Sequence, residues 1–198
     1  VVTVERIVPW EELEQNLRKT PLLEERNGEK IYPYAEADIR LADIAYADVA
    51  PTSLYVVRNN LAKLATISSD LSVQGYDPLE LASGLVLQDE TGETVGLVPP
   101  IVEETENEGK YILDGAHRTS IGRWLGRTHF TAIHISGIRP DCPAYAFPND
   151  WNDLKIAEKV PTDPAQKKDY RTDWPGGYRS LYRNFGPING SHLRESQN

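Results

Sequence analysis

Residues 110–136 change their periodicity twice. KYILD (110–114) is an apolar run of strand length, Asp114-Gly115 breaks it, and AHRTSIGRWLG (116–126) continues at helical spacing to a closing glycine. THFTAIHIS (128–136) then alternates as a strand does. A chain built around such a strand–helix–strand unit belongs to the mixed classes, with helices laid on a sheet.

The flanking segments extend this pattern. GLVLQDETGETVGLVPPIVEE (84–104) reads as strand, turn at Thr91-Gly92, strand, and a further strand after Pro99-Pro100. With the polar loop ETENEGK, residues 99–136 are predicted as strand, hairpin, strand, helix, strand. TVERIV (3–8) alternates as a strand. PWEELEQNLRK (9–19) follows as a helix, with Pro9 near its first turn and Glu11 and Glu12 complementing its dipole. ADIRLADIAYADV (37–49) fits strand or helix. RNNLAKLATISSDLSVQG (58–75) spaces Leu61, Leu64, Ala65, Ile67 and Leu71 helically before a capping Gly75, and DPLELAS (77–83) begins another short helix. The tail from Cys142 is rich in Pro, Trp, Tyr and Arg, so only short helices are expected there. The predicted fold is α+β: a small mixed sheet with flanking helices over 1–140, and an irregular C-terminal extension, 141–198, packed on it.

Charge narrows the partners. The 198 residues carry a net charge of −9. Residues 1–150 hold 13 Lys/Arg against 24 Asp/Glu, leaving −11, whereas residues 151–198 hold 8 against 6, leaving +2. Proteins that grip duplex DNA usually present a basic face, so an acidic body argues against that partner. No apolar run reaches membrane-spanning length. The single Cys142 has no internal disulfide partner, and a reducing, cytoplasmic setting is the economical expectation.

The chemistry concentrates at DGAHRTS. Gly115 allows unusual backbone angles and close approach of a ligand. The helix beginning near Arg118 turns its free amides and positive dipole end toward the same spot. His117 adds a titratable donor and Arg118 a cationic fork suited to phosphate oxygens, while Asp114 suits a metal ion or a hydroxyl. Neither a GxxxxGK[ST] loop nor a GxGxxG fingerprint is present. A plainer reading stays open, with Asp114 capping the helix and His117 and Arg118 solvated on its first turn.

VPPIVEETENEGKYILDGAHRTSIGRWLGRTHFTAIHIS resembles the ParB/sulfiredoxin superfamily, whose members carry a Pro-Ile-Val strand, a hairpin, a strand ending in an Asp-Gly-x-His-Arg type motif, a helix and a closing strand. The resemblance implies that Gly115, Ala116, His117, Arg118 and Thr119 bind nucleotide phosphates. It also implies that Asp114 is catalytic or holds Mg²⁺, with ATP or ADP as the nucleotide. Ala116 stands where sulfiredoxins carry their essential Cys, so sulfinic acid repair is excluded. The motif is nearest the branch that phosphorylates free serine, although that branch usually has a second His at the position of Ala116. In those kinases an early Glu receives the acceptor's proton. Glu11 and Glu12 stand in the corresponding region, and Glu103, on the strand expected beside Asp114, is a further candidate. The implied activity is phosphoryl transfer to a serine-like hydroxyl; the alternative is a nucleotide-controlled, nucleic-acid-associated module, a CTP or ATP switch or a nuclease-like domain.

The stretch 167–194 repeats Tyr-Arg pairs at Tyr170-Arg171, Tyr178-Arg179 and Tyr182-Arg183. Arg171, Tyr182 and Arg183 are candidates for stacking on and holding a substrate. Equally, the tyrosines dock the tail while the arginines face the acidic body. The tail is not expected to supply the helix-turn-helix and dimerisation domains into which chromosome-partitioning ParB continues.

Overall fold

A computed structural model describes residues 1–189; the last part of the Tyr-Arg stretch, 190–194, lies outside them. The fold is α+β, with several sheets and flanking helices. β1 (Thr3–Val8) pairs antiparallel with β5 (Gly84–Gln88), which pairs with β6 (Thr94–Leu97) across the Asp89–Glu93 turn, where Gly92 takes φ +83°. The central sheet runs in the order β2 (Asp38–Ala45), β9 (His129–Ser136), β7 (Ile101–Thr105), β8 (Gly109–Asp114) and β3 (Val49–Pro51). β9 and β7 are parallel, so the helix between β8 and β9 crosses over β7. A small parallel pair, β4 (Tyr55–Val57) with β10 (Lys155–Ala157), forms a separate two-stranded sheet.

Alternation along β9 divides the core. Ile133 and Ile135 join one cluster with Leu13, Leu17, Ile101 and Leu113, while Phe130 and Ala132 join another with Ile44, Val102 and Ile112. Helix α1 (Trp10–Arg18) covers the first face with Leu13 and Leu17, and Arg18 near its C-terminal end donates to the carbonyls of Ala35 and Ala37. Of the ambiguous ADIRLADIAYADV stretch, Asp38–Ala45 is the strand β2, paired over its whole length with β9, and Tyr46–Asp48 is a 3₁₀ turn leading into β3. Helix α2 (Arg58–Val73) forms as its spacing predicts and ends at Gly75, φ +84°, but buries only Leu71 fully. Leu61, Leu64 and Ile67 remain half-buried.

DPLELAS does not form the expected helix. Asp77 accepts from the Leu79 amide at 2.9 Å, an Asx turn that replaces the helix start, and Leu79 and Leu81 are buried in different clusters. The Leu79 carbonyl also receives the Thr131 amide at 2.8 Å, which ties this turn to β9.

The tail is part of the core. Ala144, Tyr145, Ala146, Leu181 and Phe185 are buried in the same cluster as β7, β8 and β9. Its short helices are 3₁₀ turns at Trp151–Asp153, Pro164–Gln166 and Tyr178–Leu181, with one further turn, α4, at Gly186–Asn189. No helix among the described residues is long and apolar enough to cross a membrane.

Candidate functional site

β8 ends at Asp114, Gly115 turns the chain with φ +96°, and α3 (Ala116–Trp124) starts at once. Two facts require glycine here. The angle lies in the left-handed region, and a Cβ would stand 2.9 Å from Pro100 Cβ. Pro100 itself is fixed because its carbonyl accepts the Ile133 amide at 2.8 Å, so the joint rests on the β7–β9 edge.

No side chain caps α3, and its first turn holds no acid. The same holds for α2, whose N-terminal flank is Val57. The two helix starts meet: the Val57 amide donates to His117 Nε2 at 2.9 Å. Arg58, the first residue of α2, is exposed and pairs with Glu158 at 2.7 Å. Two uncapped N-termini brought together turn their first-turn amides and positive dipole ends toward one place, which suits an anion, while Arg58 and Arg118 there are matched by Glu158 and Asp114. Sequence reasoning missed the α2 half of this arrangement. Val57 and His117 are sixty positions apart, and nothing local in RNNLAK marks a ligand.

Arg118 is not the open fork expected from its motif. It is 7% exposed, and Nη1 donates to the Val98 carbonyl at 2.6 Å. Burial pushes its pKa down, and the neighbouring Asp114 carboxylate opposes that shift. The guanidinium thus braces the joint against the strand leading into Pro99-Pro100, with half-buried Asp114 as its counter-charge. Thr119 is fully buried, and its hydroxyl donates to the carbonyls of Gly115 and Ala116 at 3.0 and 3.1 Å. Ala116 offers the joint only backbone. The structure therefore brings 114–119 together at one helix start, but commits the Thr119 hydroxyl to the helix itself.

Glu103 is placed differently from its expectation as an accessible acid. It is fully buried and forms a two-pronged ion pair with Arg183, Nε to Oε1 at 3.0 Å and Nη2 to Oε2 at 3.2 Å. Tyr34 and Tyr111 donate to the same carboxylate, the latter at 2.9 Å. Arg183 also donates to the carbonyls of Cys142, Pro143 and Leu181. Burial, then the Glu103 charge, drives both tyrosine pKa values up. Burial works against the Arg183 charge, yet Glu103 and the tyrosines leave its pKa raised overall. This closed network corrects both assignments. Glu103 is not a reachable base, and Arg183 is not a substrate ligand but the pin that fastens the tail.

The other tail candidates also serve docking. Arg171 pairs with Glu108 in the β7–β8 turn, donates to the Ala144 carbonyl at 2.9 Å and lies 4.0 Å over the Phe147 ring. Tyr182 sits edge-on to Tyr145 at 4.8 Å and to Tyr178 at 6.0 Å. Glu11 and Glu12 occupy the exposed first turn of α1, where Glu12 pairs with Arg6 at 3.3 Å.

No group of three His, Cys, Asp or Glu positioned for a metal occurs among the described residues. Asp114 alone still fits Mg²⁺, which takes one or two carboxylates and receives its remaining ligands from phosphates and water. An open groove of about 720 Å³ lies at the opposite end of α3, lined by Asp43, Glu80, Arg127, His129 and Thr131 among others. It is ill-suited to phosphate. Arg127 is already paired with Asp77 and Glu80, and a helix C-terminus presents carbonyls.

The ParB CE domain family model matches residues 12–156, from α1 to β10, and includes both helix starts. The chain belongs to this family. No curated protein and no solved structure matches it.

Proposed function

We propose that this ParB CE domain protein binds the phosphates of ATP or ADP where α2 and α3 begin, and transfers the terminal phosphoryl group to a small, serine-like hydroxyl. The observation that carries the reading is the meeting of two uncapped helix N-termini through His117, beside Arg118 and Asp114. First-turn amides of both helices receive phosphate oxygens, and the buried Arg118 holds the joint rigid beneath them. Mg²⁺, bound with the nucleotide, would offset charge on the phosphates as the terminal P–O bond breaks. In this reading Asp114 supplies the carboxylate, either to hold that ion or to take the acceptor's proton as its oxygen bonds to phosphorus. A thermal-shift panel of ADP, ATP, CTP and GTP with Mg²⁺, followed by an acceptor screen starting with serine, tests the proposal.

One observation favours a second reading, a nucleotide-controlled module linked to nucleic acid through a CTP or ATP switch or nuclease-like chemistry. With Glu103 sealed in the core, the acceptor base must come from Asp114 or the α1 acids, and a switch needs no such base. The two readings differ in their behaviour toward DNA. Binding to a random duplex near physiological salt is expected to be weak, because residues 1–150 carry −11. Tight binding that falls steeply with added salt would favour the switch.

A further inference from the structure

We infer that His117 is a positioning residue that works as a neutral clasp, and that its protonation releases the start of α2 from the start of α3. A backbone amide can only donate, so Nε2, 2.9 Å from the Val57 nitrogen, must offer its lone pair. The single proton of the neutral ring then sits on Nδ1. An imidazolium has no lone pair to offer, so acid sets two N–H groups against each other across this contact.

The charges around the ring are mixed. Asp114 and buried Arg118, which are opposite in charge and act on each other, stand at the same joint on either side of His117 in the chain. From α2 comes Arg58, already paired with Glu158 just beyond β10. β10 adds the exposed Lys155, and β4 contributes the uncharged Tyr55 and two valines. Both helix dipoles point their positive ends here and oppose a second cation. The functional consequence rests on the phosphate reading proposed above. A histidine that simply contacted phosphate would bind nucleotide more tightly once protonated, whereas a clasp binds it more weakly, because the paired helix starts separate. The sign of the pH effect therefore distinguishes the two roles.

Three measurements decide the matter, two of them without nucleotide. In the ¹⁵N-labelled chain at neutral pH, His117 is expected to show an unprotonated Nε2 and a protonated Nδ1; the opposite tautomer overturns the inference. His117→Gln places an amide oxygen where Nε2 stands and retains the melting temperature. His117→Asn is too short and loses several degrees; equal melting temperatures overturn it. ATP affinity, with Mg²⁺ present, should fall about tenfold between neutral and acid pH relative to His117→Gln, which cancels the nucleotide's own protonation. Tighter binding in acid overturns the clasp. Failure to bind ATP at any pH removes the nucleotide reading, while the tautomer and the two melting temperatures still judge the ring.

Discussion

Arg183→Ala should cost about 3–5 kcal/mol, the usual consequence of leaving a buried charge without its partner. Glu103 would remain fully buried with two tyrosine hydroxyls but no cation, and the carbonyls of Cys142, Pro143 and Leu181 would lose their donors. The loss should appear as a lower urea midpoint. Because Tyr34, Glu103 and Arg183 come from three distant parts of the chain, the tail and the sheet should unfold together rather than in two steps. The double variant Glu103→Leu with Arg183→Met should recover only part of the loss, since it strands no charge but still leaves the two tyrosine hydroxyls and three carbonyls without partners. A tail that melts separately, with the sheet intact, would show that the pin does not join them.

The second large effect concerns turnover. Asp114→Asn keeps the size of the side chain and removes its charge. Phosphoryl transfer should fall roughly 10²–10⁴-fold, the common worth of an acid or base group. The Mg²⁺-dependent part of nucleotide binding should weaken with it. Glu12→Gln is the informative comparison. Glu12 lies on the exposed first turn of α1 with Arg6, so a large loss there would bring α1 to the acceptor and assign the proton transfer to it. Full activity in both variants would end the kinase mechanism as drawn.

The unit from β7 to β9 was legible because its signals are local: two prolines before a strand, a glycine at the joint, and a switch between periods of two and 3.6. The joint residues were found by the same route, since Asp-Gly-Ala-His-Arg is contiguous. What could not be read depends on distance along the chain. Glu103 is an acid near a strand end in the sequence, and only the arrival of Arg183, eighty positions later, makes it a core residue. The Tyr-Arg pairs of the tail permitted either stacking on a ligand or docking. In the structure Tyr170, Tyr178 and Tyr182 pack against the cluster that buries Leu181 and Phe185, which is the docking arrangement. DPLELAS carries a helix-start pattern, but Leu79 and Leu81 serve different clusters, and tertiary burial overrides the local preference.

Nucleotide phosphates are expected to bind where α2 and α3 begin. The most direct test is to titrate ATP with Mg²⁺ into the ¹⁵N-labelled chain and follow every backbone amide. The largest shifts are expected at Gly115, Ala116, His117 and Arg118 together with Val57, Arg58 and Asn59, and they should be lost in Arg118→Ala. Shifts confined to the groove around Arg127 and His129, or none at saturating nucleotide, would contradict binding there.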